Sequence, residues 1–174
     1  LKKEGVAVFE VPYAKDLVDR CEFDTIYHEH LCYFSLTALD TLFRAHDLLI
    51  VDVERLDIHG GSLRVFVTHP AAAEDHRDAV QRLLAEEVSW GVRGFSFYRD
   101  FGAKVRWLQT TLCDLLLGLK SQGRRIVGYG AGAKASILLN IFGIGQGVLD
   151  FVVDLSPYKQ GRYLPGCHLA IFPP

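Results

Sequence analysis

The stretch Asp24-Thr25-Ile26-Tyr27-His28-Glu29-His30 packs two imidazoles, two carboxylates, a phenol and a hydroxyl into one short run. A neutral imidazole can take a proton near pH 7 while a phenol or carboxylate positions it. On a helical turn Tyr27 and His30, three apart, share a face. On an extended segment Tyr27 and Glu29 would share one face, with His28 and His30 on the other. Proton abstraction is the chemistry this run suits. A zinc site built on His28 and His30 with Cys21, Cys32 or Glu29 is the competing chemistry, but the spacing fits no common zinc framework, so no metal is expected. The remaining alternative is a solvated loop whose histidines do nothing.

A second set of residues suits anions. Gly128-Tyr129-Gly130-Ala131-Gly132-Ala133-Lys134 contains Gly128-x-Gly130-x-x-Ala133, the G-x-G-x-x-G/A dinucleotide fingerprint. Glycines leave backbone N–H groups bare, and a helix N-terminus favours phosphate. Lys134 adds a positive charge there, and Asp150 or Asp154 follows at about the spacing of a ribose contact. Read alone, this segment points to NAD and an oxidoreductase; the plainer reading is a tight strand–helix turn that needs glycine for packing. Downstream, the Pro/Gly-rich run from Asp154 to Gly166 reads as a surface loop in which Lys159 and Arg162 would suit an anionic ligand beside Lys134. His59-Gly60-Gly61-Ser62 reads mainly as a hairpin turn, with a substrate contact as the weaker option.

These residues need elements to hold them. Val6 to Val11 is a continuous apolar run, the pattern of a strand buried on both faces of a parallel sheet, ended by Pro12. Ser35 is placed as the N-cap of an amphipathic helix running to His46. Leu48–Leu56 and Ser62–Thr68 read as two strands joined through Gly60-Gly61. After a small-residue junction at residues 69–73, Glu74–Trp90 and Phe95–Lys120 have helical patterns, broken by Gly91 and Gly94. Arg124–Tyr129 then reads as a strand, Lys134–Phe142 as a helix, Val148–Val153 as a strand and Leu169–Phe172 as a third. That order is a parallel βαβ unit.

Composition sets the bounds. The chain has 174 residues, a net charge of -2, 49% hydrophobic and 23% charged residues. This is a soluble α/β composition with a real core, and it offers no electrostatic case for nucleic acid or an anionic membrane. No apolar stretch approaches the roughly 20 residues of a membrane span. Cys21, Cys32, Cys113 and Cys167 form no C-x-x-C pair, which suggests reduced thiols and a cytoplasmic protein. The chain contains no methionine, even at position 1, and opens and closes in mid-pattern, so the expectation is an interior piece of a longer protein.

Four ordered motifs carry a resemblance over essentially the whole chain: Asp24-Thr25-Ile26-Tyr27-His28-Glu29-His30-Leu31, His59-Gly60-Gly61-Ser62-Leu63-Arg64, Gly128-Tyr129-Gly130-Ala131 with Lys134, and Lys159-Gln160-Gly161-Arg162-Tyr163-Leu164-Pro165-Gly166. In these the chain resembles the S-adenosylmethionine-dependent C-methyltransferases of nucleotide-linked deoxysugars. Such enzymes have a small zinc-binding N-terminal domain, a central methyltransferase domain and a Rossmann-like C-terminal domain. The resemblance implies that residues 1–70 are the second half of a class I methyltransferase sheet with its terminal β-hairpin, and that residues 71–174 are helices followed by a truncated Rossmann-like βαβ domain. It places the main S-adenosylmethionine loop and the zinc cysteines upstream, so no cofactor-binding residue and no metal ligand is assigned here.

The resemblance also implies roles. Tyr27, Glu29 and His30 fall on the family's Tyr-x-Glu-His active-site motif, with His30 as the base and His28 as the alternative. Removing a proton beside a keto group gives an enolate that attacks the methyl donor. Tyr27 would hold the sugar or the enolate oxygen, and Glu29 would orient the imidazole or a hydroxyl. The glycine-rich turn would take the diphosphate of a nucleotide-linked keto-sugar, with Gly130, Gly132, Lys134, Lys159 and Arg162 as substrate-binding residues. Oligomeric state is not legible, and the chain by itself is expected to be inactive. The competing functions are an NAD-dependent oxidoreductase built on Gly128–Ala133 and a non-catalytic nucleotide-binding module.

Overall fold

Ser62-Leu63-Arg64-Val65-Phe66-Val67-Thr68 is rich in β-branched residues and alternates in burial, as a strand with neighbours on both sides should. A computed structural model, which describes residues 1–73 and 77–174, makes it the centre of a sheet. The strands β1 (Ala7–Pro12), β2 (Leu49–Leu56) and β3 (Ser62–Thr68) lie in the order β1-β3-β2, with β3 antiparallel to both partners. The β2–β3 hairpin turns through Gly60-Gly61, as expected from the sequence.

β1 differs from its reading as a doubly buried strand of a parallel sheet. It pairs antiparallel with β3, Ala7 opposite Val67 and Pro12 opposite Ser62, and Val8 and Phe9 on it are exposed. A continuous apolar run reports hydrophobicity without reporting strand direction, which the pairing partner sets. Phe9 uses part of its surface against Phe43, ring centroids 5.2 Å apart.

Helices α1 (Ala14–Asp19), α2 (Leu36–Arg44), α3 (Asp78–Trp90) and α4 (Phe95–Arg99) belong to the same unit as this sheet, α2 and α3 packing on β2 and on each other. The expected start of α3 at Glu74 falls on residues 74–76, outside the described residues. The core joins Tyr13, Leu36, Leu39, Ile50, Leu63, Val65, Val67 and Val80. Gly91, in the left-handed region at φ 73°, ends α3. The single helix expected over Phe95–Lys120 is interrupted at Asp100 and resumes as α5 (Phe101–Ser121).

The N-terminus of α2 is satisfied from two directions. Ser35 Oγ accepts from the Ala38 amide at 3.1 Å, as its N-cap reading requires. The Leu36 and Thr37 amides instead donate to Glu87 of α3, both at 2.7 Å. Glu87 is 1% exposed and also accepts from the Tyr13 hydroxyl at 2.9 Å and from Thr37 Oγ1 at 2.5 Å. Burial, and then the adjacent Glu87 carboxylate, push the Tyr13 phenol well above its ordinary range, so it remains a donor.

The chain divides into two compact units, Leu1–Phe23 with Cys32–Gly102, and Asp24–Leu31 with Ala103–Pro174. The second unit contains a parallel sheet, β4 (Gly128–Tyr129), β5 (Val152–Val153) and β6 (Ile171–Phe172), in that order, with α6 (Ala133–Phe142) between β4 and β5 in the chain. The strand–helix–strand expectation is therefore met by parallel pairs, though the strands are much shorter than their apolar runs. Backbone bonds prolong the pairing at both ends, with Asp150 N donating to Ile126 O at 2.9 Å and Gly130 N to Val153 O at 2.7 Å.

Candidate functional site

Tyr27 and His30 meet because the chain turns between them. The His30 amide donates to the Tyr27 carbonyl at 2.9 Å, closing a tight turn. Across that turn His30 Nε2 and the Tyr27 hydroxyl are 3.1 Å apart, and the rings stand edge to face with centroids 4.8 Å apart. The helical-turn alternative thus describes this pair, and the extended alternative does not. Glu29 lies elsewhere, its side chain turned to solvent and 4.0 Å from His28 Nε2. The structure brings together Tyr27 and His30 of the four residues, and leaves His28 and Glu29 as an exposed pair. An imidazole sharing a hydrogen bond with a phenol can move a proton and hold a polar oxygen, the two tasks of an acid–base site. The segment Asp24–Leu31 that carries it falls within the second compact unit.

The glycine-rich turn is built as its residue types require. Gly130 has φ +95°, a conformation that disfavours any side chain, and a Cβ at Gly128 would stand 3.1 Å from Val152 Cγ2. Gly132 is the N-cap of α6 and has no side chain with which to cap the helix. Space is open around Gly130 and Gly132, where an added Cβ would meet nothing within 4 Å. Lys134 is exposed in the first turn of α6. This is an arrangement that can receive an anion.

Asp154, just beyond β5, organises the surroundings of that turn. Its Oδ2 accepts from the Ala131 amide at 2.7 Å and from Lys159 Nζ at 3.0 Å, and its Oδ1 accepts from the Ser156 amide at 2.8 Å. The Ser156 and Ala131 amides, followed by Lys159, hold its carboxyl at about 2, well below the usual range. Gln160 Nε2 donates to the Asp154 carbonyl at 2.9 Å, tying down the same loop. Lys159 therefore lies against the glycine turn, anchored by one ammonium donor of three. Arg162 is exposed further along the loop. Asp150, the other carboxylate considered for a ribose, holds Lys120 at 2.7 Å and Arg125 at 3.2 Å. The sequence singled out Asp154, but its bonds to the turn's own backbone could not be read from spacing.

Around the hairpin, Gly60 and Gly61 serve close packing. A Cβ at Gly60 would run into the Glu22 carboxylate, and one at Gly61 into that of Asp16. Asp16 is buried and accepts from Arg55 Nη2 at 2.9 Å. Sequence reasoning missed both Asp16 and Glu87, because neither sits in a motif.

Residues 57–174 match the family model described as the C-methyltransferase C-terminal domain. The C-methyltransferase NovU of Streptomyces niveus is 41% identical over 174 residues, which is 100% of this chain and 41% of that protein. The chain thus spans about two-fifths of the length of the curated relative it matches.

Proposed function

The chain belongs to the C-methyltransferase family, and from that premise we propose that it carries the proton-transfer pair and the sugar-nucleotide site of an enzyme that methylates a ring carbon of a nucleotide-linked keto-deoxysugar. In this reading residues 1–70 belong to a methyltransferase domain, and residues 71–174 form a Rossmann-like domain that binds the nucleotide sugar. The parallel β4-β5-β6 sheet with its glycine turn supports the second assignment. The observation that carries the functional reading is the His30–Tyr27 pair, 3.1 Å between Nε2 and the hydroxyl.

A ring carbon is not nucleophilic until the neighbouring keto group acidifies its C–H. His30 takes that proton, and the electron pair moves into the enolate. With His30 Nε2–H donating to the Tyr27 oxygen, the other ring nitrogen takes the proton and the Tyr27 hydroxyl hydrogen steadies the developing enolate oxygen. Glu29, exposed beside His28, orients a sugar hydroxyl, and His28 is the alternative base. S-adenosylmethionine, when bound, supplies the sulfonium methyl as electrophile. The glycine turn is assigned to the sugar nucleotide rather than to that donor. The same turn suits a diphosphate, with Gly130 and Gly132 leaving room and Lys134, Lys159 and Arg162 supplying charge.

The test is transfer of labelled methyl from S-adenosylmethionine to keto-sugar nucleotides by the full-length protein. His30→Ala should lower turnover by about 10²–10⁴-fold. Full activity in that variant would remove His30 from the role. Tight binding of NAD without binding of nucleotide sugars would favour an oxidoreductase instead.

A further inference from the structure

The loop after β5 presents a large aromatic ring to solvent from a fixed backbone. Ser156-Pro157-Tyr158-Lys159 is a tight turn closed by the Lys159 amide donating to Ser156 O at 3.0 Å. Asp154 fixes both ends of that turn, bonding the Ser156 amide at 2.8 Å and Lys159 Nζ at 3.0 Å. Pro157 removes further freedom at its tip. Tyr158 at the turn's third position is nevertheless 83% exposed, and Leu155 beside it is 72% exposed. Rings so exposed contribute little to packing of the fold, whereas tyrosine on a rigid loop gives contact area at low entropic cost.

Its position specifies what it would meet. The loop leaves the carboxyl end of a parallel strand, where ligands of open α/β sheets bind. The next residue, Lys159, is held against the glycine turn through Asp154 Oδ2, which also accepts from the Ala131 amide at 2.7 Å. Lys159 thus brings a cation to the anion-receptive turn, and the residue before it in the chain carries an exposed aromatic ring. A nucleotide has the matching order, with a planar base and its phosphates separated by one sugar. We infer that Tyr158 is the base-stacking residue of the nucleotide site, and so contributes to choosing a nucleoside diphosphate over a bare phosphate or sugar phosphate. This rests on the nucleotide-sugar reading of the glycine turn and deepens it by assigning the base.

The test is calorimetric titration of the full-length protein with uridine diphosphate, adenosine diphosphate and inorganic pyrophosphate. Tyr158→Ala should weaken both nucleoside diphosphates by roughly 5- to 140-fold, the range of one base–aromatic stack, and leave pyrophosphate unchanged. Tyr158→Phe should retain nucleotide affinity, and Lys134→Ala should weaken all three ligands. Unchanged nucleotide affinity in Tyr158→Ala, with Lys134→Ala still impaired, overturns the stacking role alone. An equal loss for pyrophosphate and nucleotides also overturns it. Binding of none of the three to the unsubstituted chain overturns both this role and the reading of the turn.

Discussion

Replacing Glu87 should unfold the first unit more readily than any substitution at the proposed chemistry. The carboxylate is 1% exposed and takes four hydrogen bonds, from Tyr13, the Leu36 amide, and both the amide and hydroxyl of Thr37. In Glu87→Ala the two amides at the start of α2 and the Tyr13 hydroxyl lose their acceptor. A buried donor left without a partner costs about 1–3 kcal/mol, but such losses add incompletely and water can enter the gap. A total near 4 kcal/mol follows for the alanine variant. Glu87→Gln retains one accepting oxygen and turns an NH₂ toward donors, so roughly half that loss is expected, about 2 kcal/mol. Tyr13→Phe removes a donor while Glu87 keeps its amide partners, and should cost only about 1 kcal/mol. Urea denaturation followed by far-ultraviolet circular dichroism reads these values. With a slope of about 2 kcal/mol per molar, the alanine midpoint should fall by roughly 2 M and the glutamine midpoint by roughly 1 M. A loss under about 1 kcal/mol in Glu87→Ala, or equal losses in the alanine and glutamine variants, would show that this carboxylate does not cap α2 as described.

At the proposed acid–base pair, Tyr27→Phe keeps the ring but removes the hydroxyl, and methyl-transfer turnover should drop about 10²-fold; unaltered turnover would leave the phenol without a chemical role. Asp154, its carboxyl held at about 2 in the folded chain, should contribute stability that is complete above the unfolded carboxylate value near ~4 and is lost as pH falls toward 2. Acid unfolding of the unsubstituted chain and Asp154→Asn should therefore differ at pH 6 and converge between pH 4 and 2, and a gap independent of pH would refute the linkage. Gly61→Ala, which needs a side chain at φ +139° and pushes it into Asp16, should lower the melting temperature by several degrees, corresponding to a loss above about 1 kcal/mol. Gly147→Ala is the control, since a Cβ there meets nothing within 4 Å, and its melting temperature should stay close to that of the unsubstituted chain.

The sequence made some of this legible and hid the rest for physical reasons. The β2–β3 hairpin and the α2 start were readable because a Gly-Gly turn and a Ser cap are local signals. The parallel pairing of β4 with β5 followed from the strand–turn–helix–strand order. The Tyr27–His30 pair was one of two alternatives that spacing allowed, and only a turn could decide between them. Glu87 was invisible because its partners lie 50 to 74 residues away in the chain. Asp16 was equally hidden, since the reason for Gly61 is a carboxylate on α1. β1 misled because hydrophobicity does not encode the direction of a neighbouring strand.

The glycine turn shows how one carboxylate bears on ligand choice. A bare turn opening a helix can hold phosphate from any nucleotide, so the fingerprint alone does not separate a redox dinucleotide from a sugar nucleotide. In dinucleotide sites the separation falls to an acidic side chain of the second strand, which must offer its oxygens to a ribose. Here Asp154 occupies that place in the chain order, yet its oxygens hold the Ala131 amide, the Ser156 amide and Lys159. A ribose hydroxyl would have to share these oxygens with the Ala131 amide that fixes the turn and with Lys159. Asp150 is no substitute, being engaged by Lys120 and Arg125. A diphosphate approaching Gly132 and Lys134 requires none of these bonds to break. In the proposed reading the same carboxylate, holding Lys159 beside the turn, leaves the loop suited to a ligand recognised by phosphates and base rather than through its ribose.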